Sequence, residues 1–189
     1  MWKKLLIVAV VLAVALTALG IAVSADGRDG HRGKSRSVNW KIAGSIFNDV
    51  QAVPSPGASP ASFTLLNLSA IGSPGKARIE VVGTSQLVPK SDLCPDSTDL
   101  QLEFEGGFVA TFSDLSMLFF VIDDAPDAKN ALCIDFQGPA TGVFDYAVTG
   151  GTGRFEGATG RVTVRNTAWS VSPALSAEIG EIVGTIELP

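Results

Sequence analysis

Apolar and polar residues alternate with a period of two over many short stretches of this chain. Val38, Trp40 and Ile42 share one face of a first stretch. Phe63 to Leu68 and Ala77 to Val82 form a second and a third. Leu100, Leu102 and Phe104 alternate in a fourth, and Gly106-Gly107 reads as a turn before Phe108, Ala110 and Phe112. Leu115 to Ile122 is apolar throughout, which fits a strand buried on both faces or a short helix. Leu132, Ile134 and Phe136 alternate next, then Phe144, Tyr146 and Val148. Val162 and Val164 face one way and Thr163, Arg165, Thr167 and Trp169 the other. Ile182, Gly184, Ile186 and Leu188 finish the chain. Turn chemistry separates these stretches, as in Pro54-Ser55-Pro56-Gly57, Gly72-Ser73-Pro74-Gly75, Asp123-Asp124-Ala125-Pro126-Asp127 and Gly138-Pro139. No segment sustains a helical period with caps. Short strands with frequent turns predict an all-β fold, an antiparallel closed β-barrel of about eight strands or, alternatively, a β-sandwich. Closure suits one buried face per strand and removes exposed edges, which favours the barrel.

The densest punctuation lies between the two strands around Val148 and Val162. Gly150, Gly151, Gly153, Gly157 and Gly160 fall within Val148 to Val162. Glycine takes positive φ without steric cost, so this run makes a tight structural turn. Phe155 is its one large apolar residue and is expected to fold back and plug the end of the core, with Arg154 and Glu156 facing water. Glycine-rich loops also cradle phosphates, but that use needs the loop to open a helix within a βαβ unit. Here a strand pattern follows, and the Gly-Lys-Ser/Thr of a phosphate loop is absent.

The segment Gly150-Gly151-Thr152-Gly153-Arg154-Phe155, followed by Ala158 and Gly160, resembles the Gly-Gly-Thr-Gly-x-Phe-x-x-Ala-x-Gly signature of the dirigent and allene oxide cyclase superfamily. The chain is most similar to the secreted bacterial members. The resemblance covers roughly residues 140 to 170; elsewhere only the rhythm of strands aligns. It implies an eight-stranded antiparallel barrel with a central cavity, the signature lying between two late strands. It also implies assembly through the barrel wall into dimers or trimers. No local motif allows the cavity residues of the plant enzymes to be carried over.

The N-terminus adds a compartment. Met1-Trp2-Lys3-Lys4 is basic, Leu5 to Ala25 is apolar, and Val23-Ser24-Ala25 has small residues where a signal peptidase cuts. Residues 1–25 therefore read as a signal peptide of a secreted protein, extracellular or periplasmic, without a membrane span once cleaved. An uncleaved anchor is the alternative, since roughly 20 apolar residues suffice to span a bilayer. Residues 26–37 carry no apolar side chain and read as a flexible basic tether. Residues 38–189 are sized for one domain.

That domain holds eight Lys and Arg against seventeen Asp and Glu, a net charge of −9, which argues against nucleic acid. Cys94 and Cys133 are the only cysteines and, in an exported chain, predict a disulfide. The sole histidine, His31, lies in the tether, so the domain holds no Ser-His-Asp or Cys-His centre and no His/Cys zinc site. Asp92, Asp96 and Asp99 crowd one loop and Asp123, Asp124 and Asp127 another. Neither follows the calcium-loop pattern, and both read as solvated. No metal or cofactor is expected.

Asp135 and Asp145 sit inside strands, opposite the apolar faces of their neighbours. If those positions faced the lumen together with Tyr146 or Arg165, they would form an acid/base or electrostatic group in an apolar pocket. Pointing outward, the two carboxylates are solvated, which is the more frequent outcome. Three functions follow. The barrel holds a small apolar ligand without catalysis or acts through its surface; or it is a cyclase, isomerase or dirigent-like enzyme steering a reactive intermediate; or it is a structural surface protein. An open cavity with two or more convergent polar groups favours the enzyme, and a purely apolar one favours carriage.

Overall fold

The computed structural model describes residues 34–49, 62–172 and 175–189. The expected signal peptide, most of the tether and the Pro54-Ser55-Pro56-Gly57 turn lie outside them. The strands are β1 (Lys34–Asp49), β2 (Ser62–Ser73), β3 (Ala77–Val88), β4 (Leu100–Phe112), β5 (Met117–Ile122), β6 (Asn130–Ile134), β7 (Ala140–Gly151), β8 (Thr159–Ser172) and β9 (Leu175–Leu188). Every pair is antiparallel, and the order closes on itself: β1 pairs with β2 and β9, β3 with β4, and β4 reaches β7 through β5 and β6. The nine described strands make a barrel of eight staves, because β5 and β6 share one. β5 occupies the part of that stave facing Gly107 to Thr111, and β6 the part facing Leu100 to Leu102.

The period-two pattern sets the register. A shift by one residue would turn every buried side chain outward. Val38, Trp40 and Ile42 point into the lumen from β1, Ile79 and Val81 from β3, Val162 and Val164 from β8, and Ile182 and Ile186 from β9. Burial of each large side chain stabilises the fold by about 1.5–3 kcal/mol.

Several strands differ from their sequence outline. Gly106-Gly107 is not a turn between two strands: β4 runs through it and stays paired with β3 from Ala77↔Phe112 to Val88↔Gln101. Gly106 has φ +147, and a Cβ there would strike the carbonyl of Val82. The glycines let one long strand bend around the wall, the ordinary role of a glycine inside a strand. Of the apolar run Leu115 to Ile122, Met117–Ile122 is a strand that buries Leu118 and Phe120, while Leu115 is in the preceding turn and 79% exposed. Phe136 falls beyond β6 and is 69% exposed. The basic stretch is not wholly a tether. Lys34 to Ser37 belong to β1 and pair with Leu188 to Thr185.

The glycine corner plugs one end. After β7, a single 3₁₀ turn, Gly153–Phe155, drops the Phe155 ring to full burial. Phe155 packs on Phe112 with ring centroids 4.7 Å apart, and Phe112 lies 5.9 Å from Trp40. Trp40 satisfies its indole by donating to the Gly75 carbonyl at 2.7 Å. Arg154 faces outward as expected, but it also lies over the Phe112 and Phe155 rings, at 4.7 and 4.8 Å from their centroids. This floor is solid.

Cys94 and Cys133 are bonded. The bridge ties the loop after β3 to the outer face of β6, where Cys94, Ala131 and Cys133 form a small second core with Val143. Gln101 secures the same loop by accepting the Ser91 amide at 2.7 Å.

Candidate functional site

The opposite end of the barrel is hollow. Its lumen positions carry small residues, Ala140, Ala168, Ser170 and Ser176, where the floor carries Trp40, Phe112, Phe155 and Leu118. A cavity of about 280 Å³ results, near the lower end of the range for small-molecule sites. Its wall is largely aliphatic and aromatic: Ile42, Leu66, Ile79, Val81, Leu132 and Ile134 are joined by a group of rings. Phe108 meets Tyr146 edge-on at 4.8 Å, and Phe104 meets Phe144 edge-on at 6.1 Å. Such arrangements put the positive edge of one ring against the negative face of another.

Against this apolar wall stand a few polar side chains. Glu178 reaches the lumen from β9 and is 2% exposed. Ala168 is its partner across the β8–β9 ladder, and diagonally from it stands Asn166, whose Nδ2 donates to Glu178 Oε1 at 2.6 Å. The other two oxygens of the pair, Glu178 Oε2 and Asn166 Oδ1, are buried and have no hydrogen-bond partner. Burial pushes the Glu178 carboxyl up to about 7, while the Asn166 bond pulls the other way. Charge in a dry pocket is costly without a partner, so the neutral form is favoured. Tyr146 lies in the same pocket. Burial raises its phenol well above the ordinary value, and the nearby Glu178 raises it further.

The four sequence candidates separate. Tyr146 lines the lumen, and Asp135 lines the rim of the cavity. Asp135 Oδ1 there accepts the Gln137 amide at 2.8 Å. Asp145 alternates with Phe144 and Tyr146 and so points outward, yet it is not solvated: it is 7% exposed. The segment between β5 and β6 covers it, and its carboxylate accepts the Lys129 amide at 2.9 Å and the Thr163 hydroxyl at 2.6 Å. Arg165 is on the outer surface, 3.8 Å from Glu181. The structure therefore brings Tyr146 to the lumen with Asp135 at its rim, and leaves Asp145 and Arg165 outside.

Glu178 and Asn166 were not singled out from the sequence, although the signal was present. Asn166 is in step with Val162 and Val164, and Glu178 with Ile182 and Ile186. Extending those two lumen faces along their strands finds both.

Solved structures similar in fold include two pterocarpan synthase dirigent proteins. The pterocarpan synthase dirigent protein GePTS1 matches with a TM-score of 0.48 and 12% identity, over 90% of this chain and 100% of that one. The pterocarpan synthase dirigent protein PsPTS1 matches with a TM-score of 0.45 and 12% identity, over 82% of this chain and 96% of that one. No protein-family model matches the sequence, and no curated protein does. The closed strand order of the chain establishes the barrel independently of these likenesses.

Proposed function

We propose that this barrel is an exported binding protein that holds one small, mainly apolar molecule in its lumen. The observation that carries this reading is the hollow end. Small barrels either fill their interior or keep room for one ligand, and here aliphatic and aromatic side chains surround a cavity of about 280 Å³. The disulfide is compatible with export, where thiols are oxidised.

A second reading has its own observation. Glu178 is a carboxyl near neutral pKa beside Tyr146 in a dry, shaped pocket, and such groups serve acid/base chemistry. It favours an enzyme of the cyclase, isomerase or dirigent type that steers a reactive intermediate.

Ala168 lines the cavity, so Ala168→Phe should fill it from the wall. A neutral apolar fluorophore, phenylnaphthylamine, should brighten with the native protein and not with Ala168→Phe of equal thermal stability. Equal brightening by both proteins would place the dye elsewhere and overturn the lumen reading.

A further inference from the structure

We propose that the lumen is built for a cationic ligand, a small molecule with an apolar body and one protonated amine that pairs with Glu178 and Asn166. The inference rests on the lumen being a binding site and specifies the chemistry of its occupant.

The polar part of the cavity is mismatched. Asn166 and Glu178 together bring three side-chain oxygens and one amide nitrogen. One hydrogen bond joins them, and one oxygen on each is left without a donor. Buried acceptors in this state cost free energy until a donor arrives. The carboxyl turns easily about its last bond, so its second oxygen can swing to an incoming group.

Among the described residues, the charged side chains that line the cavity have one sign. Glu178 lies deep in it and Asp135 at its rim, and none of the lining residues, all among those described, is Lys or Arg. Residues 46–65, which include the whole connection from β1 to β2, contain no Lys or Arg, nor do residues 172–174. On the two strands that flank β9, Lys41 of β1 and Arg165 of β8 are turned outward to Glu181. Above about pH 7, where Glu178 ionises, a carboxylate ligand would meet two like charges in low dielectric. A neutral apolar ligand would leave both acceptors unmet. An ammonium would supply three donors and the missing counter-charge.

The rings add to this preference. Phe104 and Phe108 from β4, and Phe144 and Tyr146 from β7, line the same cavity as Glu178 and Asn166. Ring faces attract cations, the more so once water is excluded. An acidic group among aromatic rings accommodates an ammonium on an apolar stem.

The test compares three probes of one shape, phenylbutylamine, phenylbutanol and phenylbutyrate, by calorimetric titration at pH 8. The groups that face Glu178 are Tyr146 from β7 and Asn166 from β8, with Asp135 at the rim, and the amine itself stays protonated. The amine should bind on the order of tenfold tighter than the alcohol, as a charge-assisted bond does. The butyrate should bind weakest. In Glu178→Gln the amine should lose its advantage over the alcohol, with thermal unfolding confirming that the variant folds. Equal affinities for amine and alcohol in the native protein, or a preference that survives Glu178→Gln, would overturn the cationic ligand and leave an apolar pocket standing. Failure of all three probes, and of the neutral dye, would remove the pocket itself.

Discussion

Asn166 and Glu178 meet across β8 and β9 through one hydrogen bond of 2.6 Å, inside a barrel whose lumen is otherwise mainly hydrocarbon. Burial places the Glu178 carboxyl at about 7, above its ordinary value of 4.5. Between those values the folded chain holds a proton that the unfolded chain has released. This group's contribution is therefore complete below about pH 4.5, and stability falls as pH rises through 7. The shift corresponds to about 3 kcal/mol. Glu178→Gln, which does not ionise, should match the native protein near pH 4 and exceed it at pH 8 by an amount of that order. Urea unfolding of both proteins across pH isolates the difference, since every other titrating group is shared. Parallel profiles would show that Glu178 carries no such penalty.

Phe155 is the keystone of the floor. Its ring is fully buried against Phe112, and nothing else on the glycine corner enters the core so deeply. Phe155→Ala should cost about 3–5 kcal/mol, as removal of a buried ring does. Chemical denaturation measures it. A loss below about 1 kcal/mol would mean that the corner is only a connection.

Gly153 sits in the left-handed region, with φ +59, and a Cβ there would lie 2.8 Å from Ser116 Oγ. Gly153→Ala should lower stability by about 1–2 kcal/mol from backbone strain and crowding. Thermal melts would register a drop of several degrees. An unchanged melting temperature would argue that the turn relaxes freely.

The Cys94–Cys133 bridge closes a sequence separation of 39 residues. On the loop-entropy estimate it stabilises the fold by about 4 kcal/mol. The double variant Cys94→Ser, Cys133→Ser should unfold at correspondingly lower urea, with the barrel itself retained. The bridge lies on the outer wall, outside the principal core. Binding of the neutral dye in the lumen should therefore survive the change, and loss of dye binding with intact folding would contradict that placement.

Much of this was legible in the order of residues. Alternation at Val38-Trp40-Ile42, Phe144-Tyr146-Val148 and Ile182-Ile186 marks strands with one buried face, and each of these residues is buried, while Leu188 beyond them is partly so. Phe155 stands out as the plug because it is the sole bulky residue in a glycine run. The misreadings have local causes. Glycine pairs signal turns, but Gly106-Gly107 serves a bend within one strand whose partner continues past it. The burial of Asp145 depends on the segment from Asp123 to Lys129 crossing over it, a tertiary event that alternation does not encode. Glu178 sits on a stretch where Pro173, Gly180 and several small residues blur the strand rhythm. Its depth comes from being in phase with Ile182, and a lone acid in an otherwise apolar row is what that phase would have revealed.

β1 begins beside the end of β9, with Lys34 opposite Leu188, and Pro189 lies close to Gly157 at the plugged floor. Both chain ends of the barrel thus leave from the side remote from the hollow. Affinity tags or surface linkers joined ahead of Lys34 or after Pro189 would be held at the plugged floor, away from the hollow end. The same adjacency makes the barrel from Lys34 to Leu188 a candidate for circular permutation, with a short bridge from Leu188 to Lys34 and new ends cut elsewhere.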